Sequence, residues 1–223
     1  DMLIVMTASE LGNLTGSPMS VTYGGVAMNL ATGTQATTGI WYLDLSTSGI
    51  TGTNVVVDMS GYGTRNGFAA GWVSIDGNLG AGESIALHNV NNSASTENTV
   101  SLTTTVETFN VVTFNGNGGS GTMTVNSPNP TVIYTDTDIG SARSAAAYEG
   151  GVAAGTSNYQ WTLTGGNIPG TDYRRIDAAA FAVVSSGGGD TYTDWIAGFP
   201  GVGGLTGLND DPDADGSDNG VEN

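Results

Sequence analysis

The chain has 223 residues, a formal net charge of −17, four basic residues and no cysteine. This length allows one large all-β domain, or one domain with a small appendage. The acidity excludes nucleic-acid and anionic-membrane partners, because phosphate binding requires cationic side chains. The absence of cysteine excludes disulfides and thiolate metal sites. No apolar run approaches the roughly 20 residues of a membrane helix, so we expect no membrane insertion.

Short apolar runs recur along the chain between Gly, Asn, Ser and Asp residues, which is typical of an all-β sandwich or barrel. Thr, Val, Ile and aromatic residues fill these runs, as half-buried strands prefer. The predicted strands, in chain order, are Met2–Met6, Ser20–Tyr23, Val26–Leu30, Gly39–Leu45, Asn54–Met59, Phe68–Ile75, Ser84–Val90, Thr99–Thr104, Thr108–Phe114, Thr122–Asn126, Thr131–Thr135, Arg143–Tyr148, Tyr159–Leu163 and Ile176–Val184. We therefore predict a β domain over residues 1–186.

Some of these runs allow more than one interpretation. Met2–Met6 is continuously apolar, which predicts a strand buried on both faces. It is either an edge or central strand of its own sheet, or a strand donated to a neighbouring subunit. Ser141–Tyr148 and Asp177–Val184 are rich in alanine, so propensity alone also permits helix. Their strand-rich context favours strands, and the alanines indicate that two sheets approach closely there.

The C-terminal part differs in character. Residues 185–189 (SSGGG) form the clearest linker, so we place a boundary near 186 and a small appendage over 187–223. Within the appendage, Thr191–Phe199 predicts a short helix, because Thr193 or Asp194 can cap it and its apolar residues follow helical spacing.

The segment from Asp211 to Glu222 matches the pattern D-x-D-x-D-G-x5-E of an EF-hand-type calcium loop. Calcium takes six to eight oxygens, supplied by loop positions 1, 3, 5, 7 and 9 and a bidentate glutamate at 12. The predicted Ca2+ ligands are Asp211, Asp213, Asp215, Ser217, Asn219 and Glu222, with Gly216 at the sharp turn. A solvated acidic tail is the alternative. A calcium loop also favours an extracellular location, where calcium is abundant.

Several segments together resemble a recurrent β-sandwich domain of secreted and surface bacterial proteins of the PEP-CTERM type. They are the run from Ser20 to Met28 (SVTYGGVAM), Trp41–Asp44 (WYLD), Ser101–Thr105 (SLTTT), the alanine-rich strands, and the tail DWIAGFP followed by DPDADGSDNGVEN. The resemblance implies a jelly-roll-like antiparallel β-sandwich with a short C-terminal helix and an EF-hand-like or thrombospondin type 3-like calcium loop. It implies a secreted or cell-surface location and no catalytic residues.

The inventory of catalytic residues is poor, and we predict that the chain is not an enzyme. His88 is the single histidine and no G-x-S-x-G elbow accompanies it, which favours a surface or core histidine. A glycosidase needs two carboxylates at one cleft. The candidates Glu83, Glu97, Glu107 and Glu149 mostly lie beside predicted turns, where solvated acids are normal.

Two further polar pairs have structural interpretations. Arg174 and Arg175 point to opposite faces of their strand, so at most one faces a core, paired with Asp172 or Asp177. The other pair comprises Asp136 and Asp138, which form either part of a second cation site or a solvated turn.

Two non-catalytic functions remain. The first is a structural or interaction protein, such as a surface-layer, matrix or filament subunit, which self-associates into a filament or lattice. The second is a carbohydrate-binding module that recognises an extracellular glycan. For the second, exposed aromatic side chains would form a stacking platform for sugar rings, whereas buried ones would be core residues. The candidate aromatic residues are Trp41, Tyr42, Trp72 and Trp161.

Overall fold

The computed structural model describes residues 1–9, 19–33, 38–60, 67–76, 79, 83–94, 99–117, 122–125, 130–139, 142–164 and 174–185. The chain divides into two compact units, Asp1–Asn78 with Ile85–Val183 and Leu79–Ser84 with Val184–Asn223. Few residues of the second unit are described, so the strands and sheets given below belong almost entirely to the first unit. The predicted boundary near 186 and the predicted helix of Thr191–Phe199 lie outside the described residues.

The described part of the chain is all-β. Its strands are β1 Met2–Ser9, β2 Ser20–Tyr23, β3 Val26–Ala27, β4 Asn29–Gly33, β5 Thr38–Asp44, β6 Val55–Asp58, β7 Phe68–Ile75, β8 Glu83–Ala94, β9 Thr99–Thr104, β10 Thr108–Asn117, β11 Thr122–Val125, β12 Thr131–Ile139, β13 Ala142–Val152, β14 Gly155–Thr164 and β15 Arg174–Ser185. The predicted all-β class is confirmed, and both alanine-rich segments are strands.

Among the described residues these strands form four sheets. Their strand orders are β4-β5-β1-β7, β12-β13-β10-β15-β8, β11-β14-β9 and β3-β2-β6. The pairings are antiparallel, as for β1 with β5 and β10 with β13. The first two sheets are the larger ones, and the two three-stranded sheets each cover a face of one of them.

Strand β1 is buried at every position. It lies between β5 and β7, so that Met2 pairs with Asp44 on one side and with Ile75 on the other. A strand covered on both faces favours an unbroken apolar sequence. The N-terminal run is therefore a central strand of its own sheet, and both of its hydrogen-bonding edges are used within the chain.

Two apolar layers cover the outer faces of the large sheets. In one, Leu3 of β1 and Trp41 of β5 pack with Val21 of β2. In the other, Leu102 of β9 and Trp161 of β14 pack against Phe114, Ala145 and Ala178 of the five-stranded sheet. The rings of Phe114 and Trp161 have centroids 6.2 Å apart. Both large sheets thus have a covering sheet on one side.

The inner faces of the two large sheets also meet. Tyr42 of β5 contacts Phe181 of β15 edge to face, with ring centroids 5.6 Å apart. A Cβ added at Gly71 of β7 would lie 2.7 Å from Cγ2 of Ile133 on β12. The alanines of β13 and β15 are buried, and their small side chains allow close packing on both faces. The expected close approach of sheets is therefore observed.

The predicted hairpin at Gly24–Gly25 is confirmed by the pairing of β2 with β3. Both glycines have positive φ, 53° and 87°, as a two-residue turn of this kind requires. The prediction of one strand over Val26–Leu30 is wrong in detail, because the segment divides into β3 and β4 at Met28. The N–H of Met28 donates to the carbonyl of Val21 at 2.9 Å, and its side chain is buried.

Candidate functional site

A groove opens beside β7, at the edge of the β4-β5-β1-β7 sheet. Trp72 and Ser74 of β7 pair with Val5 and Leu3 of β1 and share a face with them. The β3-β2-β6 sheet covers that face over β1, and its outer strand β6 contributes Val56 to the groove. The cavity volume is about 720 Å3, which is within the range of small-molecule sites.

Backbone hydrogen bonds hold one wall of the groove, at Asn54, in place. The N–H of Gly24 donates to the carbonyl of Asn54 at 3.0 Å, and the carbonyl of Gly24 accepts from the N–H of Thr51 at 3.0 Å. The Thr51 hydroxyl donates to the same carbonyl at 3.1 Å. Gly24 has a φ of 53°, and a Cβ there would lie 2.6 Å from the carbonyl oxygen of Gly52. Only glycine fits this position, and these hydrogen bonds fix the backbone of Asn54 beside β2.

The lining combines aromatic, aliphatic and uncharged polar groups. The side chain of Trp72 is 64 % exposed and Val56 is 55 % exposed, while Tyr23 is half-buried. Thr53 and Asn54 supply a hydroxyl and an amide. No Asp, Glu, Arg or His is among the described residues of the lining. The groove can therefore stack against the apolar face of an uncharged ligand and hydrogen-bond its polar edge.

The four candidate aromatic residues do not form a shared platform. Trp41 and Trp161 are buried, with exposures of 3 % and 1 %. The indole Nε1 of Trp41 donates to the hydroxyl of Thr7 at 3.1 Å. Tyr42 packs against Phe181 between the large sheets. Trp72 alone among the four is exposed. The two-residue period of a strand predicts which residues share a face with Trp72, but not whether that face is covered.

The candidate catalytic residues are dispersed. His88 is half-buried, and its Nε2 accepts from the N–H of Thr105 at 3.3 Å. Glu107 lines a second cavity of about 200 Å3 and is the one carboxylate among its described residues. Glu149 accepts from the hydroxyl of Tyr159 at 3.0 Å. Glu97 lies outside the described residues. Neither of these two cavities is lined by two of the described glutamates.

A chain of hydrogen bonds surrounds Tyr159. Its hydroxyl donates to Oε2 of Glu149 and accepts from Nδ2 of Asn110 at 2.7 Å. The hydroxyl of Thr108 donates to Oδ1 of Asn110 at 2.9 Å. Burial is the main cause that raises the pKa of Tyr159 to about 12. The phenol is therefore neutral at ordinary pH, and the chain acts as a structural connection between β10, β13 and β14.

A buried ion pair lies between the two large sheets. Nε and Nη2 of Arg175 donate to the carboxylate of Asp177 at 2.9 and 2.8 Å. The hydroxyls of Thr32 and Thr38 donate to the same carboxylate. Of the two partners expected for the arginine pair, Asp177 is therefore the one observed with Arg175. Asp172 and the side chain of Arg174 lie outside the described residues.

Two asparagines of β8, neither of them a predicted site residue, hydrogen-bond to backbone groups of two strands. Nδ2 of Asn89 donates to the carbonyl of Thr103 at 2.6 Å, and Nδ2 of Asn91 donates to that of Ser101 at 2.7 Å. Oδ1 of each asparagine accepts from the N–H of the next residue, both at 2.8 Å. The N-x-N spacing is the signal, since it places both side chains on one face of a strand.

The predicted calcium ligands, from Asp211 to Glu222, lie outside the described residues, as do the side chains of Asp136 and Asp138. Among the residues that are described, no group of three or more acidic or histidine side chains is arranged to hold a metal ion. The same residues include no helix long and apolar enough to cross a membrane. The calcium site therefore stays a prediction.

Comparison with known proteins gives no relative: no family model, curated protein or solved structure matches the chain significantly.

Proposed function

We propose that this chain is an extracellular structural or interaction protein that binds a neutral glycan in the groove beside Trp72. The observation that carries the proposal is the 64 % exposure of Trp72 in the groove. The face of an indole ring suits the apolar face of a sugar ring. The hydroxyl of Thr53 and the amide of Asn54 provide hydrogen-bonding groups for the hydroxyls of a sugar.

The charge of the chain narrows the class of glycan. The net charge of −17 repels carboxylated and sulfated polymers at low salt. The described residues of the lining include no cation that would compensate this repulsion locally. A neutral polysaccharide, such as a glucan, xylan or mannan, is not repelled by the net charge and needs no cation in the lining.

The sheet arrangement and the acidic C-terminal loop support the proposed architecture and location. The four antiparallel sheets are compatible with a jelly-roll-like sandwich, a fold that often presents ligand grooves. The loop from Asp211 to Glu222 is proposed as a structural Ca2+ site of a C-terminal appendage with a short helix. A calcium loop and the absence of catalytic signatures fit a secreted or cell-surface protein that acts without catalysis.

Affinity electrophoresis and titration calorimetry with soluble β-glucan, xylan and galactomannan test the proposal. We expect one of these polymers to bind, and polygalacturonate not to bind. Trp72→Ala should raise the dissociation constant about tenfold, because the stacking face is lost. Val132→Ala is the matched control, since Val132 is 45 % exposed outside the groove. If no neutral polymer binds, or if Trp72→Ala binds as tightly as the parent chain, the groove is not a glycan site.

A further inference from the structure

The edges of the sheets differ in how they are protected against pairing with another chain. An edge strand exposes unpaired N–H and C=O groups, and proteins limit this hazard by short strands, bulges, charges or covering side chains. Among the described strands, the edges are β4 and β7, β12 and β8, β11 and β9, and β3 and β6. All of these except β7 carry at least one such protection.

Five edges are short or irregular. β3, β6 and β11 have two, four and four residues. The pairing of β4 with β5 shifts its register between Leu30 and Thr32. The pairing of β12 with β13 shifts its register twice. Short strands and bulges both disfavour the addition of another strand.

The edges of β8 and β9 are covered by side chains. Asn89 and Asn91 occupy the carbonyls of Thr103 and Ser101 on β9 with their amide groups. Their Oδ1 atoms occupy two N–H groups of β8 itself. Four backbone groups on these two strands are therefore already hydrogen-bonded, which leaves fewer groups free to pair with an incoming strand.

Strand β7 has none of these protections. It has eight residues and pairs with β1 at every one of them without a shift in register. Its sequence, FAAGWVSI, contains no charged residue and no proline. Its second side has no partner strand among the described residues. Phe68 and Trp72 are 37 % and 64 % exposed on one face.

We infer that β7 pairs with β7 of a second copy of this chain. The pairing is antiparallel about a two-fold axis, and Trp72 lies opposite the partner's Trp72. An antiparallel strand is self-complementary about such an axis. A cross-strand aromatic pair stabilises this register. The uncharged strand is also a place where two chains of net charge −17 can approach without opposing like charges at the contact.

The pairing of the two Trp72 residues fixes which other residues lie opposite each other and on which side of the sheet the two grooves open. With Trp72 at the centre, Ala70 of one copy lies opposite Ser74 of the other, and both are exposed on the groove face. The axis is normal to the sheet, so the grooves of both copies open on the same side and adjoin at the two indoles. This inference does not depend on the glycan proposal, because it concerns the backbone edge of β7.

Sedimentation velocity of the full chain over a wide concentration range tests the inference. We expect a monomer–dimer equilibrium, and amide hydrogen exchange in β7 that slows as the concentration rises. Ala70→Lys with Ser74→Lys places lysines opposite each other and should weaken dimerisation about tenfold or more. Ala70→Lys with Ser74→Asp places lysine opposite aspartate and should restore the dimer. Asn29→Lys with Thr131→Lys adds the same two charges at exposed positions elsewhere and should leave the dimer intact.

Circular dichroism and thermal melting of each variant separate misfolding from loss of pairing. A parent chain that stays monomeric at every concentration overturns the inference. A dimer that tolerates the two lysines, or that is not restored by the lysine–aspartate variant, overturns the pairing with Trp72 at its centre. The two proposals can fail separately. A monomer that binds glycan overturns the pairing alone, and a dimer that binds no glycan overturns the glycan proposal alone.

Discussion

The ion pair of Arg175 and Asp177 provides a direct test of the packing between the two large sheets. Asp177 is fully buried, and its carboxylate accepts hydrogen bonds from Arg175, Thr32 and Thr38. Asp177→Asn preserves the shape of the side chain but removes its charge. The Arg175 side chain, which is 9 % exposed, would then lie in the interior without a counter-ion. We expect the free energy of unfolding to fall by about 3–5 kcal/mol.

Urea unfolding followed by circular dichroism measures this loss. The midpoint should fall while the slope of free energy against urea stays constant, because the surface exposed on unfolding is unchanged. Asp76→Asn is the matched control: Asp76 is exposed, so the same change of charge should alter stability by less than about 0.5 kcal/mol. Arg175→Met combined with Asp177→Asn should recover part of the loss, because no uncompensated charge stays buried.

Added salt should leave the effect of Asp177→Asn nearly unchanged, since a buried pair is screened far less than an exposed one. A loss below about 1 kcal/mol would refute the reasoning, because that is the range of solvent-exposed pairs. It would mean that water reaches the guanidinium and that the two sheets do not close over Asp177 in solution.

Three further outcomes are expected. Burial is the main cause that raises the pKa of Tyr159 from 10.0 to about 12. The stability that the neutral phenol contributes is therefore present below pH 10 and is lost as the pH rises toward 12. Tyr159→Phe should flatten that part of the pH profile of urea unfolding, and an unchanged profile would contradict the assignment. Ala179→Leu should destabilise by about 1–3 kcal/mol through overpacking, whereas Val183→Leu, at a position 53 % exposed, should have little effect in the same assay. Calcium should raise the melting temperature of the chain and a chelator should lower it, and Asp213→Asn with Asp215→Asn should abolish both shifts; a shift that persists would exclude the predicted loop.

The sequence predicts the strands well because burial leaves a local signal. The unbroken run of β1 reflects cover on both faces, and the alternation of Val55, Val57 and Met59 reflects one apolar face. The sequence does not predict which aromatic residues are exposed. Trp41 and Trp72 both lie in apolar strands, and their exposures of 3 % and 64 % depend on whether another sheet extends over them. That cover is a tertiary property with no local signal.

The same limit applies to the candidate site. Trp72 follows Gly71 in β7, and the glycine is needed because Ile133 approaches the opposite face of the strand. Local sequence shows a small residue next to a large one but not which face is covered. The asparagines of β8 are similar, because their spacing predicts a shared face but their partners on β9 are set by the packing of two different sheets.

The arrangement of the sheets explains why recognition falls at an edge. Both large sheets have a covering sheet on one face and pack against each other on the other, so the central strands offer no face to a partner. Within the described part of the chain, the surfaces left for further contacts are the outer faces of the small sheets and the sheet edges. Asparagine caps, bulges and short strands close most edges of the described part of the chain. Strand β7 has no partner on its outer side among the described strands, and Trp72 lies on it beside the groove. An indole on an unprotected strand favours aggregation unless a ligand or a second copy covers it, and this is why both proposals meet at Trp72.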